Sequence, residues 1–295
     1  MKAFLAGWFL FVAGGCAQII GADFEDARPR VLAGCDPARP FGAPRRLPLN
    51  DLLLDAWAPR STADQLSLYF TSADDAFIAR RKTTDDDFGN PVPLTSINST
   101  AADMASSVTA DELTFFFETD RAGDVKIFFA KRSGLGEDFS TPAPVEGVNA
   151  PTLGVLDIQP YVTPDGTALY FGSTRAANGD YDLYRAPREA GSDRFAAPVA
   201  LASINSLTVD TWPVVSPDEL TIYFASARNL IGSNGSYDVL MATRDSKQQD
   251  FGDVRPVPGV NSAEHDYPSW ISSDACTLYM TRGAPPAMFV ATREK

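Results

Sequence analysis

Four aspartates, Asp103, Asp157, Asp210 and Asp266, each stand eight residues before a second aspartate, and Asp55 stands nine before its own. The second members of these pairs are Asp64, Asp111, Asp165, Asp218 and Asp274. Carboxylates repeated at one offset point to three roles. Gathered near one mouth of a channel, the first set would form a ring of oxygen ligands for a hard cation such as Ca²⁺, or for a polar ligand. In unlike surroundings, two or three of them would serve as acid, base or nucleophile of a glycosidase. In like surroundings, each would accept backbone amides where a strand begins, a local role repeated because the chain repeats. The context is alike each time, which favours structure or symmetric binding over catalysis. The second set reads as turn residues.

Other reactive chemistry is sparse. One histidine, His265, lies beside Asp266. There is no G-x-S-x-G elbow for a serine hydrolase and no Cys/His group at metal spacing. No catalytic residue, metal or cofactor is assigned. Trp57, Trp212 and Trp270 have the type that stacks on sugars or peptides, but packing between repeats accounts for them equally. The loops NGDYD (Asn178–Asp182) and SNGSYD (Ser233–Asp238) fall short of an EF-hand ligand set and read as hairpin connections.

The elements that must position these residues recur five times. Each turn aspartate opens a short aromatic strand: ADQLSLYF, ADELTFFF, PDGTALYF, PDELTIYF and SDACTLYM, with successive aspartates 47, 54, 53 and 56 residues apart. About ten residues later comes FIARR, FFAKR, YRAPR, LMATR or FVATR, always with Ala and Arg in the same places. A third element runs from a Phe to an Asn: Phe41–Asn50, Phe88–Asn98, Phe139–Asn149, Phe195–Asn205 and Phe251–Asn261. A fourth, more variable stretch precedes each turn. Short strands rich in aromatic and β-branched residues, parted by Gly, Pro, Asp and Ser, with a period near fifty, predict a repeat of four-stranded units. The fold class expected is all-β: a five-bladed β-propeller of four-stranded blades. The Phe-to-Asn element occurs once before any partner and is missing after FVATR. The N-terminal strand is therefore expected to complete the last blade and close the ring, leaving no open edge.

The repeats resemble the WD40-like β-propeller repeat family of bacterial envelope proteins, the TolB-like propellers. The best match is DIQPYVTPDGTALYFGSTRAANGDYDLYRAPR, residues 157 to 188, and residues 210 to 244 follow with Glu219 in place of the turn Gly. The first, second and last units are worn: Ala63, Ala110 and Ser273 replace the turn Pro, and the first lacks the loop Arg. The resemblance implies the propeller fold over residues 41 to 293. It implies little about activity, because propellers host many.

At the N-terminus, MKAFLAGWFLFVAGGC has one cation, an apolar core and small residues before Cys16. It reads as a secretory signal over residues 1–15, too short to span a membrane. Its similarity to a lipoprotein signal, with Ala13 where Leu is usual, implies that Cys16 carries the lipid and that residues 16–35 form a tether. Ala17 after that Cys implies the outer membrane, facing the periplasm or the exterior. Lipidating Cys16 leaves Cys35 and Cys276 as a disulfide candidate in an oxidising envelope, with residues 36–295 as the propeller. A formal charge of −13 argues against nucleic acid and against an anionic membrane face, and keeps an exported protein soluble. The function expected is a non-enzymatic, envelope-anchored module for binding or scaffolding, its partner another envelope protein. The alternative is a carbohydrate-binding or glycoside-hydrolysing propeller.

Overall fold

In the second strand of each repeat the apolar run is continuous rather than alternating, the pattern of a strand covered on both faces. Ser67–Ser72, Thr114–Thr119, Ala168–Ser173 and Thr221–Ser226 are buried at every position, and Thr277–Arg282 at all but its ends. The chain is seen in a computed structural model that describes residues 34–36, 39–53, 55–176, 178–230 and 237–294. The leader, Cys16, most of the proposed tether and Ser233–Ser236 lie outside the described residues.

Five antiparallel sheets of four strands form the blades. Their inner strands are Trp57–Ser61, Asp103–Val108, Asp157–Val162, Asp210–Val215 and Asp266–Ile271. These neighbour one another in a closed cycle, the last beside the first, and so surround a central channel. The expected five-bladed propeller is what the structure shows. The closure holds as well: Arg45–Arg46 pairs with the third strand of the last blade, Ala287–Thr292, with Arg45 opposite Val290 and Arg46 opposite Phe289.

Three side-chain devices repeat in each blade. At the turn, the aspartate Oδ1 accepts the hydroxyl of the Ser or Thr two residues before it and the amide two residues after it. The next residue takes a left-handed φ, which Gly166 adopts freely and Gln65, Glu112, Glu219 and Ala275 adopt at a cost. The Arg ending the third strand then lies over the Phe of the outer element: Arg81 over Phe88, Arg132 over Phe139, Arg188 over Phe195, Arg244 over Phe251. Finally, the Asn closing the outer element exchanges two hydrogen bonds with one third-strand residue, as Asn98 does with Ala76 and Asn205 with Leu183. The last blade uses the same parts drawn from the chain's other end: Arg293 lies 3.7 Å from the Phe41 ring centre, and Asn50 pairs with Met288.

The outer strands are shorter than the ten- or eleven-residue elements that contain them. Four have two residues, whereas Gly252–Pro256 has five. Pro44, Pro91, Pro142 and Pro198 stand three residues after the leading Phe in the short ones, removing a ladder donor; the long one has Val254 there.

Cys35 and Cys276 are joined by a disulfide across 241 positions of sequence, and the Cys35 amide donates to the Asp274 carbonyl at 2.7 Å. The bridge fastens the chain's start to the last blade. Replacing both cysteines by Ser is expected to lower stability by about 4–5 kcal/mol in the chain-entropy account. Thermal melts with and without reductant check this; parent melts that reductant leaves unchanged would mean the seam holds without the bridge.

Candidate functional site

The four in-register aspartates begin their inner strands and are fully buried. Each is committed to an arginine of its own blade: Arg121 to Asp103 and Arg175 to Asp157 at 2.5 Å, Arg228 to Asp210 and Arg282 to Asp266 at 2.6 Å. The same guanidinium donates to a carbonyl at the end of the preceding outer element, at Ile97, Val148, Ile204 and Val260. The other carboxylate oxygen accepts the amide of Ser99, Ala150, Ser206 or Ser262. Each Asp–Arg pair therefore staples one blade to the next. Among the described residues, no three His, Cys, Asp or Glu come together as a metal set would require.

Asp55 departs from the set expected of it. It is exposed, with φ +53°, two residues before its strand. The cause is in the hairpin that should supply its arginine: Ala73 and Asp74, both left-handed, make a two-residue turn with no room for the loop Arg of the other blades. The seam between last and first blades thus lacks this staple.

The channel has its own set of residues. At the end where the inner strands begin, a mouth of about 410 Å³ is lined by Trp57, Tyr181, Trp212, Tyr237, His265 and Tyr267, with Gln159 and Thr211 among the polar groups. Trp57 reaches Trp212 across the channel at 5.7 Å between ring centres, Trp212 meets Tyr267 at 5.2 Å, and Tyr267 meets Tyr237 at 5.3 Å. His265 packs on Tyr237 at 5.4 Å. Trp212 is buried while the other five are half-buried, so the rings remain partly open to solvent. Burial pushes the Tyr267 hydroxyl up to about 12, keeping it a neutral donor. Trp270 stands apart, on Tyr279.

The inner strands carry backbone strain, as the blade turns do. Every inner strand slips register midway, and at the slip Ala58, Gln159 and Trp212 take left-handed φ values of 56°, 49° and 55°. Non-glycine residues held this way cost on the order of 1–3 kcal/mol each and cluster where a site must be aimed. Beneath the mouth sits Glu118, only 3% exposed, accepting the Gln159 amide. Loss of solvent pushes its carboxyl up to about 7, with the Gln159 amide and Arg60 opposing. Sequence reading passed over Glu118, Tyr181, Tyr237 and Tyr267. The signal was available for one: Glu118 fills the second-strand position that holds Thr71, Gly172, Ala225 or Thr281 in the other blades.

No protein-family model matches the chain, and no curated protein is detectably similar to it in sequence. Solved structures are similar in fold. An α-L-arabinofuranosidase from Lactobacillus brevis superposes with a TM-score of 0.54 at 13% identity, over 83% of this chain and 92% of that one. An endo-arabinase from Bacteroides thetaiotaomicron VPI-5482 gives 0.52 at 14% identity, over 87% and 98%. TolB from Acinetobacter baumannii gives 0.48 at 16% identity, over 81% of this chain; the match spans 55% of that protein, about half its length. The blades themselves define the class of protein as a β-propeller, and at such identities the likeness is one of fold alone.

Two variants test this electrostatic frame. Arg228→Met leaves the Asp210 carboxylate buried without its cation and should cost roughly 3–5 kcal/mol, much of it recovered by adding Asp210→Asn; denaturant melts measure both. For Glu118, the unfolded chain ionises near 4.5 and the folded one near 7. Stability is therefore lost as pH rises through that window and stays lost above it. Glu118→Gln should be more stable than the parent by roughly 2–3 kcal/mol at pH 8, and the difference should vanish near pH 4.

Proposed function

We propose that this chain is a non-enzymatic, envelope-anchored propeller whose aromatic mouth binds another envelope protein. One observation carries the reading: the mouth is lined by half-buried aromatic rings, while the four repeated carboxylates that could have served catalysis are each held by an arginine. Rigid aromatic side chains, pre-aimed and partly desolvated, suit the anchor positions of a protein interface. They also lose little rotamer entropy on binding, which leaves more of the buried area to favour the complex. The anchor rests on the leader sequence and Cys16. No helix among the described residues is long and apolar enough to cross a membrane.

A carbohydrate-binding or glycoside-hydrolysing role is the second reading. Flat ring faces accept sugars as well as side chains. Glu118 next to the mouth has a carboxyl that burial pushes up to about 7, the protonation a general acid needs.

A photo-crosslinking residue placed at Tyr237 in the native envelope should capture one discrete protein. Trp57→Ala or Tyr267→Ala should reduce that capture at least about tenfold while the melting temperature moves little. Saturable binding of an oligosaccharide at the mouth, or hydrolysis lost in Glu118→Gln, would overturn the protein-binding reading in favour of the second.

A further inference from the structure

The far end of the channel is built differently and shares no lining residue with the aromatic mouth. There the inner strands end, around a cavity of about 100 Å³ lined by Arg60, Ser107, Tyr161, Val162, Trp270 and Ile271, among others. Arg60, Ser107, Tyr161 and Trp270 occupy one structural position, opposite the central aromatic of the second strand in four blades; Val214 holds it in the fifth. The scaffold is thus built equally well with a small, an aliphatic or an aromatic residue there. The first blade alone places a cation.

Among the described residues, that cation has no hydrogen-bond acceptor. Arg60 is 1% exposed, and none of its three guanidinium nitrogens has a partner among them. The other buried arginines are provided for: Arg132 donates to the Glu112 carbonyl and the Tyr69 hydroxyl, and Arg293 to the Asp36 carbonyl and the Tyr223 hydroxyl. Arg60 has the Tyr161 ring 5.4 Å from its central carbon. Its nearest acid, Glu118, takes its hydrogen bond from Gln159 instead. Burial lowers the Arg60 guanidinium to about 10, which leaves it a cation at neutral pH. A buried charge without a hydrogen-bonded partner costs several kcal/mol, and nothing in the blade repeat requires one here.

We propose that Arg60 and the cavity it lines bind a monoanionic organic carboxylate with a small apolar body. The planar fork of a guanidinium matches a carboxylate through two parallel hydrogen bonds. A single cation with the Glu118 carboxyl nearby opposes a doubly charged anion such as sulfate. Val162, Ile271 and Trp270 require that the rest of the ligand be apolar. Apolar cavities of about 150 Å³ take up benzene. This one, at about 100 Å³, takes a body of about four carbons, which suits butyrate or a valine side chain; the benzoate ring probes the upper limit. The carboxylate belongs either to a free small acid or to the C-terminus of a peptide entering this end of the channel.

The full chain is titrated with butyrate, benzoate and a short peptide ending in Val, against butanol, benzyl alcohol, the peptide amide and sulfate as controls. Readouts are the melting temperature and the Arg60 Nε–Hε resonance. At least one acid should bind saturably, shift that resonance and raise the melting temperature, with its uncharged counterpart at least about tenfold weaker. Response to benzoate or butyrate identifies a free acid; response to the peptide acid alone identifies a chain terminus. Arg60→Met should abolish binding while the ligand-free protein melts at or above the parent temperature, because an unpaired buried charge has been removed. Arg60→Lys, which keeps the charge and loses the fork, should bind at least about fivefold more weakly. The proposal is overturned if no acid binds, if the uncharged counterparts bind as tightly, if Arg60→Met still binds, or if Arg60→Met and Arg60→Lys both melt well below the parent.

Discussion

A second strand buried on both faces cannot be satisfied inside its own blade. Tyr69, Tyr170 and Tyr223 are wholly buried because a neighbouring blade covers them, and the same demand passes from blade to blade until the last meets the first. The closed ring answers a hydrophobic requirement that a linear stack of five sheets would leave unmet at both ends. Everything else in the protein serves that closure or uses the space it encloses. The apolar clusters lie across the seams: Ile78 and Ala105 with Phe115 between the first two blades, and Leu47, Leu68 and Tyr279 between the last and the first.

The seams are not fastened alike. Four carry a buried Asp–Arg staple whose arginine also reaches a carbonyl of the preceding blade. The seam between the last and first blades lacks one, since the tight hairpin at Ala73 and Asp74 leaves no loop for its arginine. The ring is closed instead within the last blade, by Phe41 under Arg293, Asn50 paired with Met288 and the Cys35–Cys276 bridge. Phe41 and Asn50 have counterparts in every blade; the disulfide belongs to this closure.

This division explains which parts were legible in advance. The turn aspartates, the Ala-x-Arg third strands and the Phe-to-Asn elements recur because each makes local contacts within or next to its own blade. Local contacts repeat with the sequence, so the blade number, the strand order and the closure could be read from spacing. Asp55 departs for the same reason: its place, one residue out of register, suggested a fifth member, but the arginine it needed depended on a hairpin two strands away. The aromatic mouth could not be read because its members come from the first, third, fourth and last blades and meet only across the channel. Glu118 and Arg60 stand at positions where other blades carry unlike residues, which marks them as exceptions without saying what they face.

By itself the sequence determined the architecture: five blades of four strands, joined in a ring by an N-terminal strand lent to the last blade. It could do so because the burial and turn chemistry of a blade are written within about fifty consecutive residues. Only the tertiary structure decided what the channel holds. It paired four aspartates with arginines, left Asp55 outside, brought Trp57 against Trp212 across the channel, and placed an unpartnered Arg60 against an apolar cavity. Those outcomes depend on distances between residues far apart in the chain, and those distances exist only once the ring has closed.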